Sequence, residues 1–234
     1  SPAVQAGDTV TVQYSTSDTG TATAANGDFT AANNVILTFN AGVSTQNATV
    51  TTTNDTVVEN AETFPVVLSN ATTSTGSAAF TGGGTANGTI TDNDQYSVSI
   101  AAAAPVAEGS VSTFVVTVSP TVQPGDSVTV QYSTSDTGTA KSTDGDFTAV
   151  TNQSLAFGAG VSTQNAMVNT SNDSLVENSE TFPVSLSNAT TTTGSAAITS
   201  ATANGTLTDN DQFGISVANS SAVEGSPVTF TVTL

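Results

Sequence analysis

Short runs of alternating apolar and polar residues recur along this chain and predict β-strands. The alternation is clearest at Tyr96–Ile100 and Val128–Tyr132, where every second residue is apolar. A two-residue period is typical of a half-buried strand, and no stretch sustains the 3.6-residue period of a helix. In the best-defined part of the chain the pattern predicts seven strands, at Tyr96–Ile100, Val111–Val118, Val128–Tyr132, Leu155–Phe157, Ala166–Val168, Phe182–Leu186 and Ala203–Thr208.

The whole pattern repeats along the chain. Ser1–Ala22 matches Ser119–Ala140 almost residue for residue, at an offset of 118 positions. The offset falls to 117 near Gly205 and to 116 by Glu224. Self-similarity over such a length indicates domains of one kind in series.

The tetrapeptide Asp-Asn-Asp-Gln closes each copy and leads directly into the first strand of the next. We therefore expect residues 1–94 to form a repeat that lacks its first two strands, and residues 95–211 to form a complete repeat. Residues 212–234 then supply the first two strands of a third. About seven strands per repeat suit an all-β fold, a tandem of two-sheet antiparallel sandwiches of immunoglobulin type. Since the chain has no cysteine, packed Phe, Tyr and Val must replace an inter-sheet disulfide.

The sequence begins inside a strand–turn pattern, so we expect it to be part of a longer protein. The strands that residues 1–94 lack have two possible sources. Either the polypeptide continues covalently, or one subunit donates residues 212–234 to the next, head to tail. Residues Thr208–Gln212 lead into the next strand with no feature that marks a chain end, and this favours a continuous polypeptide.

The chain is strongly acidic, with nineteen Asp and Glu, a single lysine (Lys141) and no Arg, His or Cys. An acidic surface repels nucleic acids and anionic membranes, so we expect neither as a partner. No apolar run approaches the roughly 20 residues of a membrane span. The usual nucleophilic triads need His or Cys, and we therefore expect no enzyme.

Three carboxylates stand close together in each copy of one stretch, Thr53–Phe64 and Ser171–Phe182, with no basic residue nearby. Two like charges about 4 Å apart repel by about 4 kcal/mol near a protein surface. Such a cluster opposes folding unless a cation neutralises it. Ca²⁺ takes roughly six to eight oxygen ligands in flexible geometry, and these residues offer only oxygen donors. The pattern therefore predicts a calcium site rather than a zinc site, which would use His or Cys.

Five sequence blocks occur in the same order in both copies: Y-S-T-S-D-T-G-T-A, G-D-F, A-G-V, N-D-x-x-V-E-N-x-E-T-F-P-V-x-L-S and G-T-(I/L)-T-D-N-D. This arrangement resembles the Calx-β repeat, and the resemblance covers essentially the whole chain. Repeats of that family occur in sodium–calcium exchangers, in an integrin tail and in very large extracellular proteins that include bacterial adhesins. The resemblance implies a calcium-binding, immunoglobulin-like β-sandwich.

The resemblance also implies a ligand set drawn from the G-D-F block, the acidic loop, the closing D-N-D and a Glu between the first two strands. In the first repeat the set is Asp28, Asp55, Glu59, Glu62, Asp92 and Asp94, and in the complete repeat it is Glu108, Asp146, Asp173, Glu177, Glu180, Asp209 and Asp211. The third repeat contributes Glu224 alone. The early Glu of the first repeat lies outside this sequence, so we expect that site to be incomplete unless another segment fills it.

Asparagines stand where the family often has Asp, at Asn54 and Asn93 and again at Asn172 and Asn210. Asn still offers a carbonyl oxygen, but it carries less charge, which leaves the number of ions per site open. We expect the remaining acids to be turn or surface residues, with Asp18 and Asp136 the nearest to exceptions. These remaining acids are Asp8, Asp18, Asp126, Asp136 and Asp144.

Asn-x-Ser/Thr triplets are frequent, but chance supplies many in a chain this rich in Asn, Ser and Thr. Asn70 and Asn188, which follow the sixth strand, are the better candidates for glycans. Asn54 and Asn172 lie in the expected metal loop and are poor candidates.

These observations favour a structural function, in which secreted tandem sandwiches form an extracellular or cell-surface filament or adhesion stalk. The expected partners are neighbouring repeats or copies of the same chain, head to tail, and the expected cofactor is Ca²⁺. The alternative is a regulatory calcium sensor within a membrane protein. Two nearly identical repeats favour the array, because sensors tend to diversify their sites whereas arrays duplicate them.

Overall fold

The computed structural model describes residues 3–234, so Ser1 and Pro2, which open the first predicted repeat, lie outside the described part. Every regular element in that part is a β-strand, which confirms the all-β class predicted from the alternation. Within the same residues, no helix has the length and apolar character needed to cross a membrane. The chain divides into two compact units, Ser1–Gln95 (unit one) and Tyr96–Leu234 (unit two).

Unit one contains a single antiparallel sheet. Its strands are β1 (Val10–Thr16), β2 (Val35–Phe39), β3 (Glu62–Thr73) and β4 (Thr85–Ile90), in the order β2-β1-β3-β4. On this sheet Phe64 stacks on Phe29, with ring centroids 4.4 Å apart. The two rings and Ala22 form the buried cluster of the unit. The core of unit one is therefore small and lies against one sheet.

Unit two builds a sandwich from two sheets and carries a small hairpin after it. Its strands are β5 (Tyr96–Ile100), β6 (Val106–Ala107), β7 (Val111–Ser119), β8 (Ser127–Thr134), β9 (Gln153–Gly158), β10 (Thr163–Asn169), β11 (Glu180–Thr191), β12 (Ala196–Ser200), β13 (Thr202–Thr208), β14 (Ser216–Val217) and β15 (Val232–Thr233). One sheet has the order β10-β7-β5-β12 and the other β6-β13-β11-β8-β9. Strands β14 and β15 pair only with each other.

All seven strands predicted for the complete repeat are present, as β5, β7, β8, β9, β10, β11 and β13. The prediction missed β6, which has two residues, and β12, whose Ala-rich sequence alternates poorly. These two strands correct the expectation of a wholly antiparallel sandwich, because β12 runs parallel to β5 and β6 runs parallel to β13. Both lie at sheet edges.

Aromatic rings fill the space between the two sheets of unit two. Phe182 of β11 lies edge-on to Phe114 of β7, with ring centroids 5.9 Å apart, and stacks on Phe147 at 4.7 Å. Phe114 and Phe182 are fully buried. Buried aromatic side chains contribute large apolar areas, so this packing supplies the inter-sheet adhesion expected of a sandwich without cysteines.

The hairpin β14–β15 forms the outermost part of unit two. Every residue from Gln212 to Leu234 is exposed, including Phe213 at 68% and Phe230 at 58%. The ladder between the strands is short and joins Ser216 to Thr233 and Val217 to Val232. A large apolar surface is thus displayed on a lightly paired segment.

Candidate metal centre

In unit one the structure gathers all six predicted acidic residues around one cavity. The acids that line it are Asp28, Asp55, Glu59, Glu62, Asp92 and Asp94. Its volume is about 40 Å³. Because a single water molecule needs roughly 10–15 Å³, the cavity has room for an ion with a few water molecules.

Strand pairing brings three distant segments to this cavity. Glu62, the first residue of β3, pairs with Ile90, the last residue of β4, so the acidic loop and the Asp-Asn-Asp segment meet at one end of the sheet. The third segment joins through a backbone bond, since the Thr53 N–H donates to the Asp28 carbonyl oxygen at 2.9 Å.

Asp92 fixes the position of the acidic loop. Its Oδ2 accepts a hydrogen bond from the Glu59 N–H at 2.7 Å, and its Oδ1 accepts one from the Asp94 N–H at 3.0 Å. Unit two repeats this arrangement with Asp209, which accepts from the Glu177 N–H at 2.7 Å and from the Asp211 N–H at 2.8 Å. These hydrogen bonds lower the pKa of Asp209 and keep it ionised.

A tighter set of carboxylates lies within each unit. Oxygen atoms of Asp28, Glu59 and Glu62 lie within 4.8 Å of one another in unit one. In unit two, oxygen atoms of Glu108, Asp173 and Asp211 lie within 4.8 Å of one another. Three carboxylate oxygens at this separation could hold a metal ion between them.

Two buried carboxylate oxygens in the site of unit two have no hydrogen-bond partner among the described residues. Oε2 of Glu108 and Oδ2 of Asp211 are buried, and neither accepts a hydrogen bond from the described residues. A buried acceptor without a partner costs about 1–3 kcal/mol, and more when it is charged. A cation bound between these oxygens would remove that cost, so the donor set fits a hard metal ion.

Neighbouring carboxylates perturb one another in both units. Burial, followed by repulsion from Asp55, Asp28 and Asp92, raises the pKa of Glu59. Burial and then Asp28 raise the pKa of Glu62.

The same causes act in unit two. Burial and then Asp173 raise the pKa of Glu108. Burial raises the pKa of Glu177, with Asp173 next, and burial raises that of Glu180, with Asp146 next. Each shift means that placing full negative charge on these groups opposes folding.

Basic side chains do not relieve this repulsion. Among the described residues the single salt bridge joins Lys141 Nζ to Asp144 at 3.9 Å, and both side chains are substantially exposed. Asp144 belongs to none of the predicted ligand sets. The charge of the clusters therefore has to be balanced from solution.

Gly138 holds the G-D-F loop against the strand that begins at Glu180. A Cβ on Gly138 would lie 2.0 Å from the Thr181 carbonyl oxygen, and the adjacent Ala140 N–H donates to that same oxygen at 3.0 Å. The loop continues to Asp146, whose Oδ2 accepts from the Lys141 N–H at 2.7 Å. Sequence reasoning missed this positioning role, although Gly20 repeats it in unit one at 1.9 Å from Thr63 O.

The asparagines of the acidic loop and the D-N-D segment join these segments in unit two. The Asn210 amide donates to Asn172 Oδ1 at 2.6 Å and to the Glu108 carbonyl oxygen at 3.3 Å. The side-chain oxygen of Asn172, which an asparagine at this position still offers, accepts this bond from Asn210.

Asp18 and Asp136, which lie outside the ligand sets, each bond within their own loop. Asp18 accepts from the Ala24 N–H at 2.9 Å, and Asp136 accepts from the Ser142 N–H at 2.8 Å. Neither belongs to a described carboxylate group with metal-binding spacing. Both side chains therefore stabilise a loop through hydrogen bonds, as their turn positions predict.

Asp126 ends a turn, as the sequence predicts, and its side chain is buried there. The carboxylate accepts hydrogen bonds from the Ser127 N–H at 2.7 Å and from the hydroxyls of Thr191 and Thr192. Burial favours a higher pKa for Asp126, but these bonds, together with one from Tyr96, lower it. Only a folded unit brings Thr191 and Thr192 to this turn, so the sequence carries no local signal for it.

The remaining predicted ligand, Glu224, lies in the exposed hairpin segment. It belongs to neither carboxylate group. Asp146 lies close enough to Glu180 for its charge to raise the pKa of that glutamate, after burial. The role of all these residues as ligands stays a prediction.

The family model of the Calx-beta domain matches residues 2–94 and 91–211. A search among curated proteins found no match. The chain is similar to the apo-form Calx CBD1 domain, at 19% identity and a TM-score of 0.43, over 50% of this chain and 100% of that one.

Two further solved structures are similar over a longer stretch. They are CBD12 from CALX1.2, at 19% identity and a TM-score of 0.40, and the calcium binding domain CBD12 of CALX1.1, at 20% and 0.41. Each match covers 88% of this chain and 89% of the other. Because the two family-model matches together span well over half of the sequence, the chain belongs to the Calx-beta domain family, of which it carries domains in tandem.

Proposed function

We propose that this chain is a calcium-binding structural array, in which tandem Calx-beta domains form a rigid stalk or filament outside the cell. The observation that carries the proposal is the pair of buried, unpartnered carboxylate oxygens of Glu108 and Asp211. They lie in a cluster of carboxylates that forms no salt bridge among the described residues, since Lys141 pairs only with Asp144, outside the cluster. A bound cation supplies what the fold leaves unsatisfied.

Calcium is the ion that suits these donors. It binds carboxylate, amide and carbonyl oxygens in sets of roughly six to eight, in flexible geometry. In unit two the group of Glu108, Asp173 and Asp211 would hold it, with Asp146 and Glu180 beside that group. In unit one Asp28, Glu59 and Glu62 would do so.

The connection between the units supports a mechanical role. Asp94 lines the cavity of unit one, and β5 begins at Tyr96, so Gln95 is the only residue between them. An ion that fixes Asp94 would also restrict the segment that leads into the next sandwich. A flexible linker would not transmit such a restriction.

Calcium titration tests the proposal directly. A ligand that binds only the folded state adds RT ln(1 + [L]/Kd) to stability, about 2.7 kcal/mol at 100 Kd. We expect the melting temperature to rise as calcium approaches millimolar concentration, and the particle measured by small-angle scattering to shorten after chelation. Unchanged melting and length would sink the proposal.

A matched pair of variants assigns the effect to the site. Asp211→Asn and Asp144→Asn remove the same charge, but only Asp211 has an unpartnered buried oxygen. We expect Asp211→Asn to weaken calcium stabilisation of unit two and Asp144→Asn to leave it unchanged. Tight binding at micromolar calcium with a large conformational change would instead favour a sensor.

A further inference from the structure

Three asparagines in the sequence precede a glycine, in the pairs Asn26–Gly27, Asn87–Gly88 and Asn204–Gly205. An asparagine in this position is chemically labile, because glycine has no Cβ to keep its backbone nitrogen away from the asparagine side chain. That nitrogen can attack the asparagine Cγ and close a five-membered ring. The fold decides which of the three pairs can reach the geometry of attack.

Two of the pairs lie inside strands. Asn87–Gly88 belongs to β4 and Asn204–Gly205 to β13. Gly205 is buried and pairs with Phe182, whose ring would lie 2.7 Å from a Cβ on that glycine. A backbone held in a ladder and under an aromatic ring has to open locally before its nitrogen can turn towards a side chain.

Asn26–Gly27 lies instead in a turn, where both residues are exposed. No heavy atom beyond the adjacent residues lies within 4 Å of the position that a Cβ on Gly27 would take. Gly27 has a φ of +99°, a conformation that glycine adopts at little cost. The turn therefore leaves open space around the nitrogen and the side chain that would react.

The hydrogen bonds that hold this turn are local and long. The Gly27 N–H donates to the Ala24 carbonyl oxygen at 3.2 Å, at the long end of the range for such bonds. The Asn26 N–H donates to Thr23 Oγ1 at 3.1 Å. Bonds between near neighbours in an exposed turn can open while the sheet behind them stays folded.

We propose that Asn26 is a site of spontaneous covalent modification, at which a succinimide ring forms with Gly27 and is hydrolysed to aspartate and isoaspartate. The Gly27 nitrogen forms a bond to Asn26 Cγ, the bond from Cγ to Nδ2 breaks, and ammonia leaves with the proton that Gly27 loses. Water then adds to one of the two carbonyls that Asn26 contributes to the ring. Opening at the side-chain carbonyl gives aspartate, whereas opening at the main-chain carbonyl gives isoaspartate, in which the main chain runs through the side chain.

Unit two carries an aspartate at the equivalent position. Asp144–Gly145 stands where unit one has Asn26–Gly27, and Gly145 has a φ of +103°. The two turns therefore share one backbone conformation. The aspartate product fits the loop of unit one without rearrangement.

The isoaspartate product has a different consequence, because it adds a methylene to the main chain just before Asp28. Asp28 is fixed on both sides of the loop. Its Oδ2 accepts from the Thr23 N–H at 2.6 Å, and its carbonyl oxygen accepts from the Thr53 N–H at 2.9 Å. Extra main chain between fixed points displaces Asp28 or breaks these bonds. The proposal goes beyond the calcium function, since no step involves an ion.

Ageing of the full 234-residue chain in chelator at mildly alkaline pH tests the proposal, since base removes the amide proton of Gly27. A chymotrypsin-like protease gives suitable peptides, because the sequence has a single lysine and no arginine. Mass spectrometry detects the replacement of NH₂ by OH, and enzymatic methylation of isoaspartyl groups separates the two products. We expect both products at Asn26, formed about tenfold or more faster than any product at Asn204, which has to open first.

Two controls identify the ring and the role of the fold. Asn26→Gln keeps the amide but would need a six-membered ring, and we expect it to remove the modification. In urea Asn204 should react about as fast as Asn26, because no strand protects it. An unchanged Asn26, aspartate without isoaspartate, or equal rates at Asn26 and Asn204 in the folded chain would each overturn the proposal.

The effect on the loop has its own readout. Asn26→Asp carries the same charge as the isoaspartate product but keeps the normal main chain. We expect this variant to retain the urea midpoint of the unmodified chain, and the chromatographically separated isoaspartate form to unfold at lower urea. Equal midpoints for the two forms would overturn the displacement of Asp28.

Discussion

Units one and two share most of their sequence, yet equivalent residues have different environments. Phe182 is fully buried between two sheets, whereas Phe64 retains 6% exposure and lines an open apolar groove together with Val50, Val66 and Gly88. The stretch Thr163–Asn169 forms β10, but its counterpart Thr45–Thr51 forms no strand. Because the two stretches are nearly identical, the difference comes from β7, which pairs with β10 and has no counterpart among the described residues of unit one.

The acidic sites differ in the same way. In unit two Glu108 arrives from the turn before β7 and joins Asp173 and Asp211, whereas the tight group of unit one is Asp28, Glu59 and Glu62. Where β5 and β7 are present, as in unit two, both the core and the set of carboxylates that approach one another differ from those among the described residues of unit one.

The largest expected difference concerns the central phenylalanine. Phe182→Ala should destabilise unit two by about 3–5 kcal/mol, because it leaves an enclosed cavity between Phe114 and Phe147. Phe64→Ala should cost roughly 1.5–3 kcal/mol in unit one. Because the groove beside Phe64 is open, the substitution leaves no enclosed cavity, and the cost is mainly the lost burial of apolar surface. Amide hydrogen exchange read separately over the two units measures both values. Equal costs would contradict the comparison.

Added volume beside the same rings should give a smaller difference. Gly205→Ala places a methyl group 2.7 Å from the Phe182 ring and 2.9 Å from that of Phe114, and overpacking of this kind costs about 1–3 kcal/mol. The atoms nearest to a Cβ on Gly88 all belong to the Phe64 ring, which lines an open apolar groove and can move into it, so Gly88→Ala should cost less. Gly158→Ala, which meets nothing within 4 Å, is the control for both in chemical unfolding.

The turn carboxylates give a third comparison. Asp126→Asn should cost about 1–2 kcal/mol, because the buried carboxylate accepts several hydrogen bonds. Asp8→Asn should stay within about 0.5 kcal/mol, since Asp8 accepts a single long bond, from Ser74 at 3.4 Å. If Asp8→Asn lowered the free energy of unfolding in denaturant by as much as Asp126→Asn, burial would not explain the contribution of Asp126.

The smallest expected effect is a pH dependence of opposite sign with and without calcium. Raised folded-state pKa values at Glu59, Glu62, Glu108 and Glu180 contribute stability that is complete below their ordinary value and is lost as pH rises through the raised value. The chelated chain should therefore gain stability as pH falls from 7 towards about 4.3, the ordinary Glu value. Saturated with calcium, it should lose stability over the same range, because ligands must be ionised.

Urea midpoints at several pH values, with chelator and with calcium, measure this dependence. Asp209 works in the opposite direction, since its lowered pKa contributes stability that is lost as the pH falls through that lower value. If the stability of the chelated chain falls steadily below pH 7, the aspartates with lowered pKa values outweigh the glutamates with raised pKa values.

The sequence predicted most of the fold because alternation and the repeat are local signals. Tyr96–Ile100 and Val128–Tyr132 alternate clearly, and both are strands. The parallel edge strands β6 and β12 escaped prediction because they depend on a neighbouring strand rather than on their own pattern. Thr45–Thr51 shows the reverse case, in which a strand-like sequence lacks its partner.

The convergence of the acidic segments was predictable from the order of the family's sequence blocks. Asp28, Glu62 and Asp92 do meet at one cavity of unit one. The sequence could not show that Asn172 and Asn210 bind each other, nor that Gly138 presses on the Thr181 carbonyl. Both facts depend on distances between loops that only the packed sandwich sets.

The hydrogen-bonded loop around Lys141 has a consequence for proteolysis. Trypsin-like enzymes cut after Lys or Arg, and the 234-residue sequence offers them one such bond, Lys141–Ser142. That bond lies in a closed loop, where the Lys141 N–H donates to Asp146 and its carbonyl accepts from the N–H groups of Asp144 and Asp146. A protease must open the loop before it can bind an extended substrate. A sequence with a single basic residue thus offers trypsin-like enzymes one cleavage site, and that site lies in the loop that leads to Asp146, an expected calcium ligand.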